Sequence, residues 1–225
     1  KRLKNYPQIL FHVDAVQSVG KFELKPGAAG IDLMSVSAHK FRGPKGIGFL
    51  YRRKGLKLDP LLNGGGQETG LRSGTENVPL IVGMAKAFRM ATENVGQKHS
   101  RLAKLRKRLL EQIREIPGIE YNGSDDRDEM SPHIVNVSFP GIKPEVIVHA
   151  LEEKEIYIST RSACSSSDNK PSRILLAMGK PDSIAESSIR ICIACDHSEK
   201  DVDILANALG STVANLKSIT TGKRG

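Results

Sequence analysis

The 225-residue sequence predicts an α/β fold, on three observations. Several short apolar runs stop at polar residues, which suits sheet strands whose ends gather ligand groups. One long stretch repeats apolar residues every three or four positions, as an amphipathic helix does. Strand-like and helix-like segments then alternate to the end of the chain.

The first run, Ile9-Leu10-Phe11-His12-Val13, ends at Asp14. A second, residues 31–37, ends beside His39 and Lys40, and a third covers residues 46–51. All three are expected to be buried strands. The segment Asn63-Gly64-Gly65-Gly66-Gln67-Glu68-Thr69-Gly70-Leu71-Arg72-Ser73-Gly74-Thr75 follows. Its glycines allow close backbone approach to a ligand or a second subunit, although a plain flexible loop has the same composition.

From residue 78 to 116 the pattern is helical, with Leu102, Leu105, Leu109, Ile113 and Ile116 on one stripe. Gly96 is the expected bend, and Pro117-Gly118 the stop. Beyond it, residues 134–139, 156–159 and 189–193 read as strands. Residues 144–154 and 174–178 read as helices, and Val202, Leu205, Leu209, Val213 and Leu216 mark a last helix. A chain of this length can form one large domain or two small ones.

Composition narrows the function classes. Hydrophobic residues make up 39% and charged residues 26%, the balance of a globular chain. No apolar stretch approaches the length of a membrane span, and the N-terminus lacks a signal-peptide layout. The net charge is +9, much of it between Lys98 and Arg114 beside interleaved apolar positions, where a solvated helix face explains it. With no Trp, four Tyr and six Phe to stack bases, direct nucleic-acid binding is not supported. Three cysteines do not make a disulfide framework, and a reducing cytoplasm fits them better. Cys192 and Cys195 lack the second pair that a zinc site needs, so no metal is expected. Cys192 reads as a core strand residue and Cys195 as a possible accessory thiol.

The chemistry concentrates around Ser37-Ala38-His39-Lys40. A lysine that bonds a carbonyl must spend time as a neutral amine, which partial burial and neighbouring positive charge promote. A surface lysine after a strand is the plain alternative. Asp14 ends another strand, and Gln17 follows one turn later. A pyridoxal cofactor requires a carboxylate at its ring nitrogen, a lysine at its aldehyde carbon and donors around its phosphate. Asp14, Lys40, and Ser37 with His39 supply one candidate for each. Farther on, Cys164 lies in a Ser-, Asp- and Asn-rich stretch, read as a mobile loop. Arg161, Lys170 and Arg173 nearby would favour its thiolate.

Taken in order, His12-Val13-Asp14-Ala15-Val16-Gln17, Ser37-Ala38-His39-Lys40, Gly64-Gly65-Gly66-Gln67-Glu68, Arg72-Ser73-Gly74-Thr75, Thr160-Arg161-Ser162-Ala163-Cys164-Ser165 and Ser188-Ile189-Arg190-Ile191 resemble the landmarks of NifS/IscS-type cysteine desulfurases. The resemblance covers essentially the whole chain. It implies a pyridoxal 5'-phosphate-dependent transferase of fold type I, α/β, with residues 1–90 from the C-terminal part of the large domain and residues 91–225 as a connecting helix and the smaller C-terminal α/β domain that carries the Cys164 loop. It implies that Lys40 carries the cofactor, Asp14 pairs with the pyridinium nitrogen, Gln17 bonds the ring oxygen, and Ser37 and His39 hold the phosphate. Thr75 would reach the phosphate of the neighbouring subunit's cofactor, which implies a homodimer. Arg190 would pair with the carboxylate of L-cysteine. Cys164 would take the sulfur as a persulfide and pass it to an acceptor for iron–sulfur cluster assembly or tRNA thiolation.

Complete relatives also carry a large N-terminal portion with further cofactor contacts. The chain is therefore expected to be a fragment that binds the cofactor poorly and turns over slowly. The Thr160-Arg161-Ser162 run resembles the branch that serves tRNA and thio-cofactor thiolation. Two alternatives stay open. One is another fold-type I enzyme, a selenocysteine lyase or an aminotransferase. The other is a non-catalytic module that docks a sulfur acceptor through its loop and basic helix.

Overall fold

The computed structural model describes residues 5–124, 126, 130–160 and 171–222. The chain divides into two units, Lys1–Lys98 and His99–Gly225. The division falls inside a helix.

The first unit holds a three-stranded sheet in the order β1-β2-β3, with β1 His12–Asp14, β2 Leu33–Ser37 and β3 Gly48–Arg52. Strands β1 and β2 are parallel, with Asp14 opposite Ser35, and β3 returns antiparallel, with Ser37 opposite Gly48. The turn from β2 to β3 explains Gly48: a Cβ there would sit 2.2 Å from the Val36 carbonyl oxygen. Because side chains alternate across a strand, Val13, Met34, Val36, Phe49 and Tyr51 share one face. Helix α1 (Val78–Thr92) covers that face with Met84, Ala87, Phe88 and Ala91. Phe88 meets Phe41 and Phe49 edge-on, with ring centroids 5.9 and 5.4 Å apart. His12, Asp14, Leu33, Ser35, Ser37 and Leu50 lie on the opposite face.

The second run forms β2 and buries Met34 and Val36 as expected, but the first and third are not the buried strands expected from sequence. Ile9, Leu10 and Phe11 are exposed and precede β1, and β3 alternates exposed and half-buried residues. The reason is the sheet itself. Within this unit α1 covers one face, and the apolar residues of the other face find no cover among the described residues of the unit.

Asp32 ties the strand ends together. Its carboxylate accepts from the Phe11 amide at 2.8 Å and from Arg53 Nε at 2.5 Å, and its backbone bonds Phe11 and Arg53. Both donors hold its pKa below the usual carboxylate value.

Helix α2 spans Val95–Ile113. The expected bend at Gly96 is instead a break two residues earlier, where Asn94 takes a left-handed φ of 52°. Asparagine tolerates that region better than most residues, whereas Gly96 lies within α2.

The second unit is built on an antiparallel sheet in the order β4-β5-β6, with β4 Glu120–Tyr121, β5 Ile134–Ser138 and β6 Ser188–Cys192. Val135, Val137, Ile189 and Ile191 form its apolar face. They pack with Leu102, Leu105, Leu109 and Ile113 of α2, Ile147 and Leu151 of α3 (Pro144–Glu152), and Val202, Leu209 and Val213 of α6 (Glu199–Gly222). Two short helices, α4 (Arg173–Ala177) and α5 (Asp182–Glu186), precede β6. The strand expected over residues 156–159 is a single bridge between Ser159 and Arg190. Cys192 is exposed at the end of β6 rather than core, and the half-buried Cys195 packs against the core.

Side chains on α2 and α6 also pair. Arg108 grips Asp203 through Nε at 2.7 Å and Nη2 at 2.8 Å, and Gln112 adds a bond of 2.5 Å to the same carboxylate. These bonds lower the Asp203 pKa to about 2.

Candidate functional site

Within the first unit, five of the sequence-predicted residues converge on the carboxyl ends of β1 and β2. Asp14 is the last residue of β1, exposed on the uncovered face of the sheet. Its Oδ1 accepts from the Val16 amide at 3.0 Å, which turns the chain sharply towards Gln17, also exposed. Ser37 is the last residue of β2 and is half-buried on the same face. The chain then makes one 3-10 turn, Ala38–Phe41, that presents His39 and Lys40 to solvent and buries Ala38 and Phe41.

Two features fix this turn. Phe41 is anchored by Phe88, and the Gly43 amide donates to the Ala38 carbonyl at 2.9 Å. Closing it forces Arg42 into a left-handed φ of 67°, a conformation that costs a non-glycine residue roughly 1–2 kcal/mol. Backbone strain of this kind is often held beside functional groups. Lys40 itself is exposed, not partly buried. Lys21 Nζ donates to its carbonyl oxygen at 3.3 Å, so positive charge does stand nearby.

Sequence reasoning missed two neighbours. His12 and Ser35 share the face of Asp14, with His12 Nε2 and Ser35 Oγ 2.7 Å apart. The signal was available in strand alternation, since His12 is two residues before Asp14 and Ser35 is two before Ser37.

Thr75 lies in the same unit, exposed after a 3-10 turn at Gln67–Gly70 in which Glu68 and Thr69 take positive φ. The loop is ordered by its own side chains. Gln67 Oε1 accepts from the Gly74 amide at 3.2 Å, and Ser73 Oγ donates to the Leu62 carbonyl at 3.0 Å. No described contact joins Thr75 to the β1–β2 cluster.

Arg190 belongs to the second unit. It lies on β6 opposite Asn136, on the face turned away from the apolar core. Its backbone pairs with Ser159 through bonds of 2.6 and 3.1 Å. The Arg190 side chain is half-buried, and its Nε is buried without a hydrogen-bond acceptor. A buried guanidinium nitrogen without an acceptor is costly, and a bound carboxylate would relieve it. Cys164 lies outside the described residues.

Among the described residues no cluster of His, Cys, Asp and Glu is arranged to hold a metal ion. No described helix is long and apolar enough to cross a membrane.

The chain resembles known proteins along nearly its whole length. Residues 1–205 match the aminotransferase class-V family. A cysteine desulfurase IscS of Clostridium botulinum is 40% identical over 213 residues, which is 94% of this chain and 54% of that protein. A cysteine desulfurase IscS of Methanosarcina thermophila is 43% identical, over 95% of this chain and 52% of that protein. A solved NifS-like protein superposes with a TM-score of 0.82 at 37% identity, over 94% of this chain and 54% of its own. The chain thus spans about half the length of the curated relatives it matches. The mixed α/β architecture, the family match and these relatives agree, and the chain belongs to the class-V aminotransferase family.

Proposed function

We propose that this chain is part of a pyridoxal 5'-phosphate-dependent cysteine desulfurase that converts L-cysteine to L-alanine and hands the sulfur on as a persulfide of Cys164. The observation that carries the reading is the convergence of Asp14, Ser37, His39 and Lys40 at one end of the parallel pair β1–β2. The residues present fit the group. A carboxylate, an amine, a hydroxyl and an imidazole, all accessible or half-buried, stand where two parallel strands end, the usual place for a ligand in an α/β sheet. When bound, the cofactor supplies the electron sink that the reaction needs.

The chain's own residues do the rest. The carboxyl group of Asp14 would pair with the cofactor's ring nitrogen. Lys40 would hold the cofactor through its amine and move a proton at the substrate's Cα. Gln17, Ser37 and His39 orient the group, and Thr75 reaches the phosphate held by a second subunit, which requires a homodimer. Arg190 pairs its unsatisfied guanidinium with the carboxylate of L-cysteine. The Cys164 thiolate attacks the substrate sulfur. The new S–S bond forms as the C–S bond breaks, and the carbon skeleton, after protonation, leaves as alanine. Acceptor proteins for iron–sulfur cluster assembly or tRNA thiolation, and a cytoplasmic setting, complete the proposal.

The test is borohydride reduction of the chain with pyridoxal 5'-phosphate, followed by peptide mass spectrometry. The expected result is an adduct on the Lys40 peptide far above every other lysine, absent from Lys40→Ala. Labelling spread evenly over the lysines, or persisting in Lys40→Ala, both in this chain and in one extended at its N-terminus to the length of the relatives, would overturn the assignment.

A further inference from the structure

Helix α2 carries a feature that sulfur chemistry does not use. A groove of about 570 Å³ runs along it within the second unit. Lys104, Arg106 and Lys107 bring positive charge, and Leu110, Met130 and Pro132 bring apolar surface. Lys104 and Lys107 are exposed, and the one acidic residue of the lining, Glu111, stands 3.5 Å from Lys107. An exposed pair of that kind leaves the local field positive.

Arg106 marks the groove as more than a solvated helix face. It is 6% exposed, so its charge has been taken almost wholly out of water. One Nη donates to the Tyr121 hydroxyl, and the guanidinium stacks on the Tyr121 ring at 5.8 Å, with that of Arg114 at 5.2 Å. Its Nε is buried with no acceptor. Among the described residues no carboxylate is seen to pair with it. A buried arginine lacking a counter-ion is destabilising until an anion arrives. The helix that carries it is held by the Arg108–Asp203 pair, so the donors are pre-positioned.

We propose that this groove docks an acidic, partly apolar segment of a partner protein, with carboxylates paired to Arg106, Lys104 and Lys107 and an apolar side chain against Leu110, Met130 and Pro132. The cations alone would suit any anion. The apolar wall beside them favours a peptide with alternating acids and aliphatics over inorganic phosphate. This inference is independent of the desulfurase reading, since none of these residues is assigned a part in catalysis.

The test uses the full chain and a fluorescein-labelled twelve-residue peptide, Glu-Leu-Asp-Asp-Leu-Glu repeated twice, read by fluorescence anisotropy. Saturable binding is expected, weakened about tenfold by Lys104→Glu with Lys107→Glu and unchanged by the double reversal Lys154→Glu with Lys200→Glu, an equal charge change at two lysines outside the groove lining. Arg106→Lys, checked for folding by circular dichroism, should also weaken binding, and amide NMR shifts should move at Lys104, Leu110 and Met130. Lack of saturable binding, or equal binding by the charge-reversed variant, would overturn the proposal. So would full displacement of the peptide by equimolar inorganic phosphate, which would make the groove a small-anion site. Binding that appears only after Asp125, Asp128 and Glu129 are changed to amides would overturn it too, making the chain's own acidic run the occupant.

Discussion

At the residue scale, the most informative side chains are those whose charge is not where solvent would put it. Arg190 has a buried Nε without an acceptor on the polar face of the second sheet. Its planar fork suits a carboxylate, and a lysine cannot reproduce the two parallel bonds. Arg190→Lys should therefore raise KM for L-cysteine about tenfold with a smaller change in kcat, measured as alanine release by the holoenzyme. Equal KM values would remove Arg190 from substrate binding. Asp203 gives a prediction in pH. Its carboxyl titrates at about 2, below its ordinary 3.8, because Arg108 and Gln112 bond the ionised form. A depressed pKa contributes stability that is present above the unfolded value and lost as pH falls through the folded one. Asp203→Asn should thus lower Tm at neutral pH. The gap between variant and parent should shrink from about pH 4 and close near pH 2. A gap independent of pH would show that the ion pair is not its source.

At the element scale, α2 shows how one helix serves two ends. Its apolar stripe is legible from spacing alone, and Leu102, Leu105, Leu109 and Ile113 are indeed buried. Leu109 is fully buried, so Leu109→Ala removes core contacts and should cost about 2–5 kcal/mol in urea unfolding. A loss below 1 kcal/mol would mean the core collapses around the gap. The basic face of the same helix is only partly the solvated surface its composition suggests. Arg106 is buried and Arg108 is paired across to α6. Charge alone cannot reveal this, because burial of an arginine depends on what Tyr121 and Asp203 place beside it.

At the scale of the whole molecule, the two units differ in how completely each covers its own sheet. The second packs α2, α3 and α6 together against the apolar face of β5 and β6, and Val135, Val137 and Ile189 are fully buried. The first covers one face of its sheet with α1 and leaves Ile9, Leu10 and Leu50 about half exposed, with Leu61 at 94%. Local stability follows buried apolar contact. Hydrogen exchange of the chain should therefore show the amides of β1 and β3 exchanging faster than those of β5 and β6. Equal protection would mean the first unit is stabilised by something other than its own core.

The sequence by itself determined the α/β class, the apolar stripe of α2, most strand and helix positions, and the ordered motifs that place the chain in its family. Periodicity and local turn chemistry set these, and both act within a few residues. The positions of Asp14, Ser37, His39 and Lys40 at or just after strand ends were readable too, because strand ends are marked where apolar runs stop. Tertiary structure decided what depends on distant neighbours. It placed the helix break at Asn94 rather than Gly96, exposed the run at residues 9–11, and left the thiol of Cys192 outside the core. It also set His12 beside Ser35 on the open face of Asp14, and closed the strained turn at Arg42 that carries Lys40. Each of these outcomes rests on register between strands or on packing against a helix, which no window of adjacent residues encodes.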